Sequence, residues 1–393
     1  MLKFNLNSKI KKSNILNLAI ILVLLLILVA VYNRKSSSGI GKNELNKFMV
    51  DKMTECQNQG VDSCYKNIAH IFATEFEIKD VLQVFEENEK TPVFFSKCHT
   101  TLHYLGQEEY KIIKDTSRAL SLGTPICFAG FYHGVLEAYL IESGLINDNE
   151  KLAKELPSLC GGEDNFALKK SYNECLHGLG HALMFATNGE LPGSLKLCDN
   201  LPSSSDQNWC YSGSFMENST SSTNRDHPSK YLKSDDPMYP CNILEAKYLN
   251  MCYTLQGFYF AEKSNYNWKQ NEKLCKQVPS EFQSGCFNAM GQTQVGFTQD
   301  LNAMRDNCYL ISDKQNRGDC LYGIIGGLGE RYNDGWFKVL TFCNTILTGD
   351  EKNNCYKRAI ESRRGWINDP DTLESFCTQI DSDVFKNQCR NAI

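Results

Sequence analysis

Histidine is scarce in this chain, and its distribution is uneven. Of seven histidines, His99, His103, His133, His177 and His181 fall between residues 99 and 181. His99 and His103, and His177 and His181, are pairs four residues apart, and His133 stands four residues before Glu137. On a helix, residues at this spacing project from one face. Two or three imidazoles with a carboxylate form the usual ligand set of zinc, non-haem iron or copper, and helices commonly supply such ligands in pairs. The residues that this pattern assigns to a transition-metal site are His103, His133, Glu137, His177 and His181, with Glu217 as a further carboxylate. A second reading is metal-free chemistry, a hydrolase or lyase using His177 or His181 as base. A third is that the histidines bond locally and only pack, leaving an interaction scaffold without metal or catalysis. Whether the chain is an enzyme stays open at this point.

Other catalytic signatures are missing. There is no Gly-x-Ser-x-Gly elbow, no His-Glu-x-x-His and no P-loop. Gly323, Gly326, Gly327 and Gly329 superficially suggest a phosphate-binding loop, but they follow Cys320 at a repeat position, where close helix packing explains them better. Asn218-Ser219-Thr220 matches a glycosylation sequon within a polar stretch that reads as a surface insertion.

The cysteines indicate what positions the histidines. Eighteen are present, and read in order they pair as Cys56/Cys64, Cys98/Cys127, Cys160/Cys175, Cys198/Cys210, Cys241/Cys252, Cys275/Cys286, Cys308/Cys320, Cys343/Cys355 and Cys377/Cys389. From Cys210 through Cys252, Cys286, Cys320 and Cys355 to Cys389 the steps are 42, 34, 34, 35 and 34 residues. A period in the mid-thirties is that of a helix-turn-helix repeat, so the expected fold is all-α, a solenoid of helical hairpins. The first cysteine of each pair should end one hairpin and the second should open the next, and a disulfide there fixes their register. Closing a loop of this size contributes about 3 kcal/mol in the chain-entropy treatment. Small residues after each second cysteine permit close helix approach. Cys98 and Cys127 fit least well, because both stand where a helix should open. His133 and His181 each follow a cysteine by six residues, which puts them in the first turns of successive hairpins, where equivalent positions line one surface. Metal ligation by the cysteines is a poor alternative, since no Cys-x-x-Cys occurs.

This period and pairing resemble the tetratricopeptide and Sel1-like class of helical repeats, in its disulfide-stapled secreted forms, over Cys56 to Ile393. The Trp, Tyr and Pro consensus of the tetratricopeptide unit is not present. The resemblance implies a concave face able to hold a protein or peptide partner, and it implies no chemistry.

The N-terminus and the composition place the chain. Ile15 to Tyr32 is almost wholly Leu, Ile, Val and Ala, close to the roughly 20 residues of a membrane-spanning helix. Lys3, Lys9, Lys11 and Lys12 precede it, which orients the N-terminus inward and the rest outward, in an oxidising compartment. A cleaved signal peptide is the rival reading. The expected organisation is a cytoplasmic segment over 1–14, a membrane anchor over 15–32, a linker over 33–47 and an extracytoplasmic repeat domain over 48–393. With 42% hydrophobic and 22% charged residues the chain can build a core, and a net charge of -5 without a basic tract in that domain excludes nucleic acid as a partner.

Overall fold

The computed structural model describes residues 41–391 except 90, 125, 128, 146–147, 167–168, 221–228, 333 and 368. The anchor expected over 15–32 and the segment before it lie outside the described residues. Among the described residues no helix is long and apolar enough to cross a membrane.

Among the described residues nineteen α-helices run in the order α1 (Lys42–Gln59), α2 (Asp62–Glu75), α3 (Ile78–Asn88), α4 (Pro92–Ile113), α5 (Thr116–Leu122), α6 (Gly130–Glu142), α7 (Asn149–Leu159), α8 (Lys169–Ala186), α9 (Leu191–Cys198), α10 (Ser204–Thr220), α11 (Ala246–Lys263), α12 (Trp268–Cys275), α13 (Gln283–Phe297), α14 (Leu301–Tyr309), α15 (Lys314–Arg331), α16 (Gly335–Thr341), α17 (Gly349–Trp366), α18 (Pro370–Thr378) and α19 (Asp383–Asn391). Many of the shorter helices start from a side-chain cap. Asp148, Asn267, Asp300 and Asp369 accept backbone amides at the starts of α7, α12, α14 and α18, satisfying donors the first turn leaves unpaired. The first helix begins at Lys42, inside the stretch expected as linker, because Leu45, Met49 and Met53 on one face are buried in the core.

The longer helices α2, α4, α6, α8, α10, α11, α13, α15 and α17 pack each against the next, and the shorter ones intervene in a second layer. Nine disulfides join the pairs given by reading the cysteines in order. No cysteine is left free. The second cysteine does not open its helix as expected. Cys175, Cys210, Cys252, Cys320, Cys355 and Cys389 are each the seventh residue of theirs, so the helices start well before them. Cys98 takes the same seventh position in α4, and its partner Cys127 sits in the turn before α6 at a φ of 56°.

Glycines set how closely the long helices approach. A Cβ on Gly180 would lie 2.0 Å from the Cys210 carbonyl oxygen, and one on Gly213 would lie 1.8 Å from that of His177, so α8 and α10 touch backbone to backbone. Gly291 and Gly323 repeat this between α13 and α15, with a Cβ 1.9 Å from Cys320 O and 1.8 Å from Asn288 O. The glycines after Cys320 thus serve packing, apart from Gly326, whose Cβ would meet nothing within 4 Å.

Contacts also cross the array. Lys170 Nζ in α8 donates to Gly329 O in α15 at 3.1 Å, and Arg331 donates to Phe95 O at 2.8 Å with its guanidinium 4.1 Å from the Phe95 ring centre. A stack whose hairpins touch only their neighbours would lack these contacts. The sequon residue Asn218 is buried and bonded to Ser229 and Tyr231, so it is no free surface acceptor.

Candidate metal centre

Four neighbouring long helices bring the histidines together. α4 supplies His99 and His103, α6 supplies His133, α8 supplies His177 and His181, and α10 supplies Ser212 and Glu217. Only His133 stands in a first turn; the others lie deeper, because α4 and α8 begin six residues before their cysteines. Two glycine contacts set the spacing of the layer. Gly134 lies against the His103 carbonyl, and Gly178 leaves room for the His133 ring, whose Cδ2 would be 2.7 Å from an added Cβ.

His133, His177 and His181 form the centre of the cluster. Their ligand atoms all lie within 4.8 Å of one another. The His133 ring stacks on His181 at 4.6 Å, and His177 Nε2 lies 3.1 Å from His181 Nε2. The outward nitrogens fix the protons. The Ser212 hydroxyl donates its single proton to Trp209 O at 2.6 Å, so at 2.7 Å it must accept from His177 Nδ1. His181 Nδ1 likewise donates to Glu217 Oε2 at 2.7 Å. With both Nδ1 atoms donating outward, a neutral pair of rings leaves two Nε2 lone pairs facing each other at 3.1 Å, an arrangement relieved by a cation between them, either a metal ion or a shared proton. His133 Nε2 is buried and has no hydrogen-bond partner among the described residues. Burial, with the neighbouring imidazoles, holds His133 and His177 well below the usual histidine pKa, so both stay neutral and able to ligate.

The other sequence candidates are placed nearby with different partners. His103 Nε2 pairs with Glu137 Oε2 at 2.9 Å, and Gln107 donates to the same oxygen. Burial works against a charged His103, but the bond to Glu137 and its charge outweigh it and raise the His103 pKa; Glu137 is lowered in turn, against its own burial, chiefly by His103. These two therefore form an ion pair beside the three-nitrogen cluster, where the sequence pattern had grouped them with its ligands. His99, left out of that set, joins the layer with its ring 5.1 Å from His133. Its Nδ1 donates to Cys127 O at 3.0 Å, and burial pulls its pKa down to about 4. Glu217 orients His181. Ser212 had no sequence signal beyond its place two residues after a cysteine, the place His177 takes in α8. His70, at the same register six residues after Cys64, faces solvent and pairs with Glu108 at 2.7 Å.

No protein-family model, curated protein or solved structure was found to match the chain.

Proposed function

We propose that this protein binds a transition-metal ion of the zinc class through Nε2 of His133, His177 and His181. The observation that carries the reading is the facing pair of Nε2 atoms 3.1 Å apart, each with its Nδ1 proton already committed. With metal–nitrogen bonds of about 2.0–2.1 Å, that separation subtends about 100° at an ion, between square and tetrahedral geometry. Nitrogens around one tetrahedral ion lie about 3.3 Å apart, so ligand atoms that lie within 4.8 Å of one another have to close by at most about 1.5 Å. Glu217 and Ser212 then act as the supports that fix ring tautomer and orientation in metal sites. Three protein nitrogens leave a coordination position for water or substrate, the arrangement of catalytic rather than closed structural zinc sites. The four helices hold this centre in a frame stapled by disulfides, and the apolar run from Ile15 to Tyr32 anchors that frame outside the cytoplasm, a placement supported by nine disulfides.

The test is metal analysis of the full-length protein purified without a His-tag, then cobalt substitution read by its visible absorption. One equivalent per chain is expected, lost in the His177→Ala/His181→Ala double variant with helical content unchanged. If the wild type, offered zinc, iron and copper in turn, retains none, the facing nitrogens share a proton instead and the site is one for acid/base chemistry.

A further inference from the structure

The cross-array contact between α8 and α15 borders a cavity that the metal reading does not use. It is lined by Lys170 and Glu174 of α8, Trp209 of α10, Tyr322 and Glu330 of α15, and Trp366 of α17. Two carboxylates and one ammonium line it. Lys170 spends a proton on Gly329 O, and Glu330 accepts from Gln292 Nε2 at 3.2 Å. Glu174 is only 8% exposed, lines the cavity, and makes no hydrogen bond among the described residues. A buried carboxylate without a donor is costly and calls for a cation or a proton. Burial and the charge of Glu330 push the Glu174 pKa up to about 8, against the opposing pull of Lys170.

The lining chooses among cations. A metal ion would need oxygen or nitrogen ligands on most sides, whereas this lining includes two tryptophans, a tyrosine and Ile325. Aromatic faces beside carboxylates suit an organic ammonium, whose charge meets the carboxylates and whose carbons meet the rings. A space of about 180 Å³ admits an amine of about six non-hydrogen atoms, given roughly 30 Å³ per water in the liquid.

We propose that this cavity binds a small organic ammonium compound, held by Glu174 and Glu330 and enclosed by Trp209, Trp366 and Tyr322. Its place relative to the histidines follows from the helix. Lys170, Glu174, His177 and His181 are spaced by four, three and four residues, so they form one stripe along α8. At 1.5 Å per residue, Glu174 lies about 5 Å along the axis from His177 and about 10 Å from His181. Trp209 is linked to the histidines as well, through its carbonyl and the Ser212 hydroxyl. An amine seated here lies within one ligand's length of the three-nitrogen cluster, although its binding needs no metal.

Titration calorimetry on the full-length chain in excess chelator tests this, with butylammonium, 1,4-diaminobutane and uncharged 1-butanol as probes. The ammonium probes should bind at least tenfold more tightly than the alcohol. Glu174→Gln, which keeps the shape and removes the charge, should abolish most of that difference while leaving helical content and metal content unchanged. Equal binding of butylammonium and butanol by the wild type overturns the proposal whatever the variant does, and so does an unaltered preference in Glu174→Gln. Because chelator is present throughout, neither result depends on whether the histidines hold a metal.

Discussion

Gly213→Ala should weaken metal binding although Gly213 touches no ligand atom. A methyl there would sit 1.8 Å from the carbonyl oxygen of His177. Restoring an ordinary contact of about 3.3 Å parts α8 and α10 by about 1.5 Å, since neither backbone can yield in a close-packed interior. Ser212 and Glu217 travel with α10, so their 2.7 Å bonds to His177 and His181 stretch to about 4 Å, beyond any useful hydrogen bond. Loss of such supporting bonds typically lowers metal affinity by about 10–100-fold, and the overpacking costs about 1–3 kcal/mol of stability. Competition against a chromophoric zinc chelator reads the first effect, and thermal unfolding by circular dichroism reads the second. Gly318→Ala is the control: a Cβ there meets nothing within 4 Å, so it should gain up to about 1 kcal/mol from helix propensity. If Gly213→Ala folds with unchanged zinc affinity, the glycine contact does not set the site and the reasoning fails.

Acid should destabilise the fold in a defined window. His133 and His177 are depressed below their unfolded value, and His99 is depressed to about 4; their stabilisation is complete above about pH 6.5 and is lost as pH falls towards 4. The melting temperature should drop across that range, and His99→Phe should flatten part of the drop; a flat wild-type profile would count against neutral buried imidazoles. Denatured, unreduced protein should show no reactive thiol, and peptide mapping should recover the Cys98–Cys127 linkage; two or more free thiols would refute the pairing. Protease added to intact spheroplasts should digest residues 43–393, and protection of that region would overturn the proposed orientation.

The helical repeats were legible because a staple every mid-thirties residues prints the repeat length directly on the sequence. The pairing was legible for the same reason, each cysteine lying near its partner along the chain. Three of the five assigned ligands meet, because register six residues after a cysteine and a partner one turn away both survive in the helix layer. The separation of His103 and Glu137 was not legible. It follows from Gly130 and Gly134, which seat α6 against the carbonyls of His99 and His103 and so bring Glu137 to His103 rather than to His133. Glu174 and Glu330 gave no signal at all, since residues far apart in the chain share a cavity only once α8 and α15 meet.

Those meetings differ in kind from the staples. No disulfide joins residues more than 29 apart, whereas the Lys170–Gly329 and Arg331–Phe95 contacts span 159 and 236 residues and are not covalent. A chain made from its N-terminus can therefore complete each crosslink as its own hairpin arrives, and the helices through α10 that carry the histidine layer can assemble before the far segment exists. The wall made by α15 and α17 comes last. With every bridge intact, only noncovalent contacts hold α15 and α17 over Lys170 and Glu174.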